Sequence, residues 1–169
     1  MSLSMYQASA PVFVRMLGNL SAILDKGAAF AEAKKIDPSV LVSARLAPDM
    51  FPLARQIQIA TDGVKGCVAR LAGIEIPSYA DTETTIEELK ARIAKTIAFV
   101  QSVSAVQIDG TEERAITLKI GGKEKSFKGQ VYLLNFVLPN LYFHIATAYG
   151  ILRHNGVEVG KLDFLGSDV

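Results

Sequence analysis

PLARQIQIATDGVKGCVARLAG, the stretch from Pro52 to Gly73, carries an apolar residue at every third or fourth position. The apolar positions are Leu53, Ile57, Ala60, Val64, Cys67 and Leu71. Their alternating steps predict a helix with a narrow apolar seam, which is typical of antiparallel helical bundles. Pro52 suits the first turn of this helix, and Gly73 suits the position just after its last turn. The stretch therefore predicts one long helix of a bundle.

Gly63 and Gly66 lie inside this predicted helix, although glycine costs a helix about 1 kcal/mol relative to alanine. We expect glycine at such positions to allow another helix to approach closely. The approaching helix can belong to the same fold or to a second copy of the chain. Asp62 lies on the side away from the seam, where we expect it to face solvent or to pair with a basic residue.

Three further stretches show the same helical period. The first runs from about Ser4 to Lys35. Another opens with Thr84 and Thr85, which form a capping box with Glu87 or Glu88, and ends near Ser104. The last runs from Pro139 to Asn155, where Asn155-Gly156 stops it. Together with the seam helix, these stretches predict four helices.

Between the third and fourth predicted helices the period changes from 3.6 to 2. Ala115 to Ile120 alternates, Gly121-Gly122 turns, and Lys123 to Lys128 returns, which predicts a β-hairpin. The apolar segment from Gln130 to Leu138 suits a separate short helix. The predicted fold is all-α: an up-down four-helix bundle with a small two-stranded β-hairpin between helices three and four. We expect residues 1–169 to form a single domain.

Composition excludes several classes of partner. The chain has 18 basic and 17 acidic residues, and a net charge of +1 argues against nucleic acid. No apolar run approaches the roughly 18 residues that span a bilayer, so no membrane association is expected. The single cysteine, Cys67, permits no intrachain disulfide and suits a reducing cytosol. The sequence therefore predicts a cytoplasmic protein.

The two histidines, His144 and His154, lie on the same predicted helix. Ten residues of helix separate them by about 15 Å, so they cannot bind one ion together. The apolar stripes of the second, third and fourth helices carry no acidic residues that would complete a metal site. We therefore predict no metal site and no cofactor. His154, beside Arg153, suits the electronegative carboxyl end of the helix.

Three residues of the fourth helix are candidate ligand-binding residues: His144, Tyr149 and Arg153. Tyr149 and Arg153 share one helix face and can hold an anionic ligand between them, or they can simply form a cation–π pair. His144 lies at the edge of the apolar stripe, as a ligand contact or as a partly buried, hydrogen-bonded side chain. No catalytic residue is predicted, and Cys67 on the seam indicates an inert buried thiol.

The segments Arg45–Gln56, Ala69–Gly73 and Phe143–Val157 resemble a bacterial family of uncharacterised proteins grouped with the DinB/YfiT-like four-helix bundles. DinB-like proteins often hold a divalent metal with three histidines, one on helix two and two on helix four in the pattern His-x-x-x-His. By this resemblance His144 is similar to the first helix-four ligand, but Ala148 replaces the second. Helix two has no histidine, so metal-dependent transfer is not implied. The resemblance does imply a homodimer that forms through helix faces.

Several functions are compatible with these features. The first hypothesis is a non-catalytic bundle that binds a small molecule or another protein. The alternative is a divergent, metal-independent thiol-type transferase or hydrolase that uses His144 as a base. A third is a stress-associated structural protein that acts through its surface. The sequence leaves open whether the protein is an enzyme.

Overall fold

A computed structural model describes residues 3–166, so the predicted domain ends at residues 1 and 169 lie outside it. Four long helices, α1, α3, α4 and α7, pack around one apolar core, in which α3 contacts both α4 and α7. This confirms the predicted all-α fold with a hairpin between the third and fourth long helices. The helices are α1 Ala10–Lys34, α2 Pro38–Ser43, α3 Leu53–Ala72, α4 Ile86–Gln101, α5 Ala105–Ile108, α6 Gly129–Val131, α7 Leu138–His154 and α8 Lys161–Leu165, and the strands are β1 Ala115–Ile120 and β2 Lys123–Lys128.

Helix α3 ends as its sequence predicts, but it begins at Leu53, so the expectation that Pro52 lies in its first turn is wrong by one residue. Pro52 is its N-cap residue, and Gly73 ends it in the left-handed conformation with φ 71°. Every seam residue from Leu53 to Leu71 is buried. The capping box of α4 is also confirmed, because the Thr85 side chain accepts a hydrogen bond from the Glu88 amide and the Glu88 carboxylate accepts one from the Thr85 amide.

The last long helix differs from the prediction. The expected break at Pro139 is wrong: α6, a π-helical segment Tyr132–Val137 and α7 form one continuous helix, Gly129–His154. Pro139 has no N–H to donate to the preceding turn, and its ring crowds that turn. The wider π-helical turn directly before it relieves this conflict, since its hydrogen bonds skip one residue more than those of an α-helix.

This continuous helix is, by length and composition alone, long and apolar enough to cross a membrane. Polar residues such as Asn135 and Asn140 interrupt it, so the sequence shows no unbroken apolar run. A core helix of a bundle passes the same test. Leu141, Ile145, Ala148 and Leu152 of this helix are buried in the core, which accounts for one of its apolar faces.

The hairpin has the predicted strands and turn. Ala115 pairs with Lys128, Ile120 pairs with Lys123, and the turn glycines Gly121 and Gly122 both have positive φ. Positive φ at both central residues is the requirement of a tight hairpin turn that matches the strand twist. The hairpin joins the bundle through a buried Ile116 and an aromatic cluster of Phe127, Tyr132 and Phe136.

Candidate functional site

His144 is held by a hydrogen bond between α7 and α3. Its Nδ1 lies 2.7 Å from Oε1 of Gln56, and only 7% of the residue is exposed. The Gln56 amide nitrogen donates to the carbonyl oxygen of Phe51, so its carboxamide oxygen faces the imidazole. Nδ1 therefore carries the proton and donates it. This arrangement confirms the partly buried, hydrogen-bonded histidine that was one of the two interpretations of the sequence.

The imidazole of His144 is neutral at pH 7. Burial lowers its pKa below the ordinary value, and the positive charge of Arg55 lowers the pKa further. Within residues 3–166, every fully buried side-chain nitrogen or oxygen has a hydrogen-bond partner. Nε2 of His144 has no protein partner there, so it must reach solvent. This nitrogen is an unprotonated acceptor in a fixed orientation.

Tyr149 and Arg153 contact other parts of the molecule. The Tyr149 hydroxyl donates to the carbonyl oxygen of Val159, and its ring meets Phe164 of α8 edge-on at 6.4 Å. Arg153 is exposed in the last turn of α7. His144 contacts α3 instead. The protein contacts of His144, Tyr149 and Arg153 therefore do not bring the three side chains to one place. Ligand binding by His144, Tyr149 and Arg153 stays a prediction.

The residues around His144 do not fit the three-histidine metal site of DinB-like proteins. The neighbour of His144 on α3 is the carboxamide of Gln56, and the residue four positions later is Ala148. A carboxamide that accepts the Nδ1 proton is a poor substitute for a second imidazole ligand. In the part of the chain that the structure describes, no three or more His, Cys, Asp or Glu side chains are grouped to hold an ion.

A cleft of about 530 Å³ lies between α3, β1 and the helix Gly129–His154. We call it the α3 cleft. Its volume is within the range of sites for small ligands. Tyr132 and Phe136 form an aromatic wall, and Asn140 contributes a carboxamide one turn before His144. From α3 the cleft is lined by Arg55, Ile59, Asp62, Gly63 and Arg70.

These α3 residues follow the helical period on the face opposite the core seam. Gly63 lines the cleft on this face, and Gly66 lies one turn before Arg70, which also lines it. An added Cβ at Gly63 would lie 3.7 Å from the Asn140 amide nitrogen, an ordinary contact. At Gly66 the nearest atoms belong to Arg70, with Nη1 only 2.5 Å from such a Cβ. Within the described chain, Gly66 therefore does not serve the close approach of another helix that we expected. It leaves space for the guanidinium group of Arg70.

Arg70 is positioned by this space and by one hydrogen bond. Its Nη1 donates to the Tyr132 hydroxyl at 3.2 Å. Burial and the nearby Cys67 raise the pKa of Tyr132 to about 12, although Arg70 opposes this shift, so the hydroxyl is protonated. Within residues 3–166, no carboxylate forms an ion pair with Arg70. The cleft thus contains an arginine whose remaining N–H donors have no acceptor among the described residues.

Cys67, on the core seam of α3, is fully buried. Burial raises the pKa of its thiol well above the ordinary value. A thiol that stays protonated is a poor nucleophile, so the predicted inert cysteine is confirmed as a buried core residue.

A second polar cluster was missed from the sequence. Arg92 of α4 has a side chain that is only 2% exposed, and its Nη2 lies 2.8 Å from Asp62 and 3.0 Å from Asp81. Its Nη1 bonds Glu83 at 2.9 Å, and its Nε donates to the Thr61 hydroxyl. We call this set the Arg92 cluster. It ties the segment 73–85 to α3 and α4, and it confirms that Asp62 pairs with a basic residue.

Hydrogen bonds within the Arg92 cluster keep its acidic residue Glu83 ionised. Burial alone would raise the pKa of Glu83, but hydrogen bonds from Arg92 and Gln58 outweigh it and lower the pKa below the ordinary value. Arg55 extends the cluster to the α3 cleft, because its Nη1 lies 2.5 Å from Asp81. The available signal in the sequence was the position of Arg92 three residues after the apolar Leu89, a spacing that places both on one side of α4.

The comparisons with known proteins agree with this fold. A family model described as "Domain of unknown function (DUF1993)" matches residues 5–165. A crystal structure of a DinB family member protein from Shewanella denitrificans is similar to the chain, with 46% identity and a TM-score of 0.88. The similarity covers 96% of this chain and 92% of that one. No curated protein matches. The predicted relationship to uncharacterised DinB-like proteins is confirmed.

Proposed function

We propose that this chain, which belongs to the DUF1993 family of domains of unknown function, is a non-catalytic bundle that binds a small molecule in the α3 cleft. The observation that carries the proposal is the combination of an aromatic wall, Tyr132 and Phe136, with the unpaired guanidinium of Arg70 in one concave space. Small-ligand sites typically join apolar surface to a few fixed polar groups. His144, one turn after Asn140, lies near one end of this site. Ligand contacts by Tyr149 and Arg153 would form a separate site on α7.

A large side chain at Gly63 should weaken ligand binding in the cleft. We expect a Gly63→Leu variant to weaken fragment binding at least tenfold, because a Cβ is tolerated there and the larger side chain projects into the cleft. Gly18→Leu is the matched control, since position 18 on α1 has open space around it. The measurement is a fragment screen by amide chemical shifts on ¹⁵N-labelled protein. Shifts centred on Tyr149 and Arg153, or equal binding by Gly63→Leu, would contradict the cleft as the site.

The free Nε2 of His144 favours a second function, a metal-independent thiol-type transferase or hydrolase. A neutral imidazole whose Nδ1–H is fixed by Gln56 can accept a proton at Nε2, as a general base does. We then expect His144→Ala to lose at least about 100-fold of the turnover of thiol adducts. The exposed His154→Ala is the control. Absence of turnover by the wild type across a broad adduct panel would reject this function.

A homodimer is proposed through the outer face of the helix Gly129–His154. Surface helices normally turn polar residues outward, and a helix that is apolar all round is normally covered. Here Val131, Leu134, Tyr142 and Phe143 are 42%, 43%, 38% and 55% exposed. A second copy of the chain is the proposed occupant, because twofold dimers are the commonest soluble assemblies and the resemblance to DinB-like bundles implies one.

A charge on this outer face should separate the dimer. We expect the wild type to sediment as a dimer and Phe143→Glu to sediment as a monomer, because a buried unpaired carboxylate opposes association. Val106→Glu introduces the same charge at a residue of α5 that is 90% exposed, and it should remain dimeric. Analytical ultracentrifugation at several concentrations measures the state. A monomeric wild type, or dissociation of both variants, would contradict this interface.

The proposed location is the cytoplasm. A single, fully buried cysteine suits a reducing compartment. The near-balanced charge supports the expectation of neither nucleic acid nor a membrane as partner.

A further inference from the structure

We infer that the ligand of the α3 cleft is a small amphipathic monocarboxylate whose carboxylate is bound by Arg70, an inference that rests on the proposed binding of a small molecule in this cleft. A planar guanidinium with free N–H groups matches the two oxygens of a carboxylate. Arg70 offers such groups, because only its Nη1 is used, in the bond to the Tyr132 hydroxyl.

The other positive charges that line the cleft are either paired or exposed to solvent. Arg55 lies 2.5 Å from the carboxylate of Asp81 and also donates to Gln58. Lys119, from β1, lines the cleft but is exposed to solvent, and no hydrogen bond to the described residues positions its side chain. Among the cations that line the cleft, Arg70 is therefore the one that is positioned by a hydrogen bond and forms no ion pair within the described residues.

The surroundings of Arg70 select among anions. Asp62 also lines the cleft, but Lys65 and Arg92 pair with its carboxylate, so it does not compensate the charge of Arg70. Phosphate sites usually gather several donors, often at a helix N-terminus, whereas this cleft presents one fixed guanidinium. Tyr132 and Phe136 form the wall beside it and suit an apolar or aromatic remainder of the ligand. One carboxylate joined to an apolar group meets all of these constraints.

Gly66 provides a test that does not remove the charge. In a Gly66→Ala variant, the new Cβ would lie 2.5 Å from Nη1, so the guanidinium must move away from the Tyr132 hydroxyl. Since Nη1 is the end of a flexible side chain, the helix itself should tolerate the change and gain stability. The variant therefore misplaces Arg70 in a folded protein. Gly18→Ala on α1, with nothing near its Cβ, is the matched control.

The probes are 4-phenylbutyrate, the neutral 4-phenylbutanol and inorganic phosphate, titrated into ¹⁵N-labelled protein. We expect 4-phenylbutyrate to shift the amides of Gly63, Gly66 and Tyr132 and to bind about tenfold more tightly than the alcohol. Gly66→Ala and Arg70→Gln should each weaken 4-phenylbutyrate about tenfold, while the alcohol is little affected. Gly18→Ala should leave both affinities unchanged.

Three results would overturn the inference. Equal affinity for the alcohol and the carboxylate would show a ligand site without anion recognition, in which case the proposed function stands and this inference fails. Tighter binding of phosphate than of 4-phenylbutyrate would assign a different anion. No saturable shift with 4-phenylbutyrate up to about 10 mM would also reject the inference, while the neutral members of the fragment screen decide the proposed function separately.

Discussion

Replacing Arg92 with methionine is expected to lower the free energy of unfolding by about 3 kcal/mol. The substitution keeps an unbranched apolar stem but removes the guanidinium, and it leaves the carboxylates of Asp62, Asp81 and Glu83 together without their shared cation. Glu83 is the most buried of the three, with a side chain 12% exposed. The loss of its cation therefore destabilises Glu83 the most. The side chains of Asp62 and Asp81 are each 39% exposed and recover part of their hydration.

Urea unfolding, followed by circular dichroism, measures this loss. Arg55→Met is the control, because the Arg55–Asp81 pair is 39% exposed on each side and pairs of this kind contribute at most about 1 kcal/mol. We also expect limited proteolysis to cut the segment 73–85 faster in Arg92→Met, since this segment loses its anchor on α4. A loss below about 1 kcal/mol in Arg92→Met, or an equal loss in both variants, would show that the Arg92 cluster is not a stabilising element.

The parts of the fold that sequence predicts are those that depend on local periodicity. The α3 seam, the capping box at Thr85 and the hairpin turn at Gly121-Gly122 each follow from residues close together in the chain. The continuous helix through Pro139 does not, because proline ordinarily ends a helical pattern. The π-helical segment that accommodates it has no signature in the apolar stripe, which explains the wrong boundary.

The site is less predictable because its contacts join distant residues. His144 meets Gln56 across 88 positions, Arg70 meets Tyr132 across 62, and Arg92 meets Asp62 across 30. Helical period gives the face on which each side chain lies, but not the rotation and offset of one helix against another. The sequence therefore identified His144 as a candidate and could not identify its partner. Arg70 was visible only as one more polar residue on the outer face of α3.

Gly129 makes the closest backbone approach among the described glycines, and replacing it with alanine should destabilise the protein by about 2–3 kcal/mol. The added Cβ would lie 2.1 Å from the carbonyl oxygen of Thr111, far inside any real contact. Because that oxygen belongs to the backbone, no rotamer change relieves the clash, and the two segments must separate. The adjacent hydrogen bond from the Gln130 amide to the Glu112 carbonyl, at 2.9 Å, would be strained or lost.

Moving these two segments apart should also disturb the α3 cleft, because Gly129 directly joins β2 to the helix that carries Tyr132 and Phe136. We expect Gly129→Ala to exchange the amide hydrogens of the hairpin faster and to bind cleft fragments more weakly. Gly150→Ala lies in the same continuous helix, where its Cβ meets the Leu46 side chain at an ordinary 3.7 Å. That control should be stabilised by up to about 1 kcal/mol. If both variants have the same urea midpoint of unfolding as the wild type, the contact between Gly129 and Thr111 does not hold the hairpin in place. Other contacts must then determine the shape of the cleft.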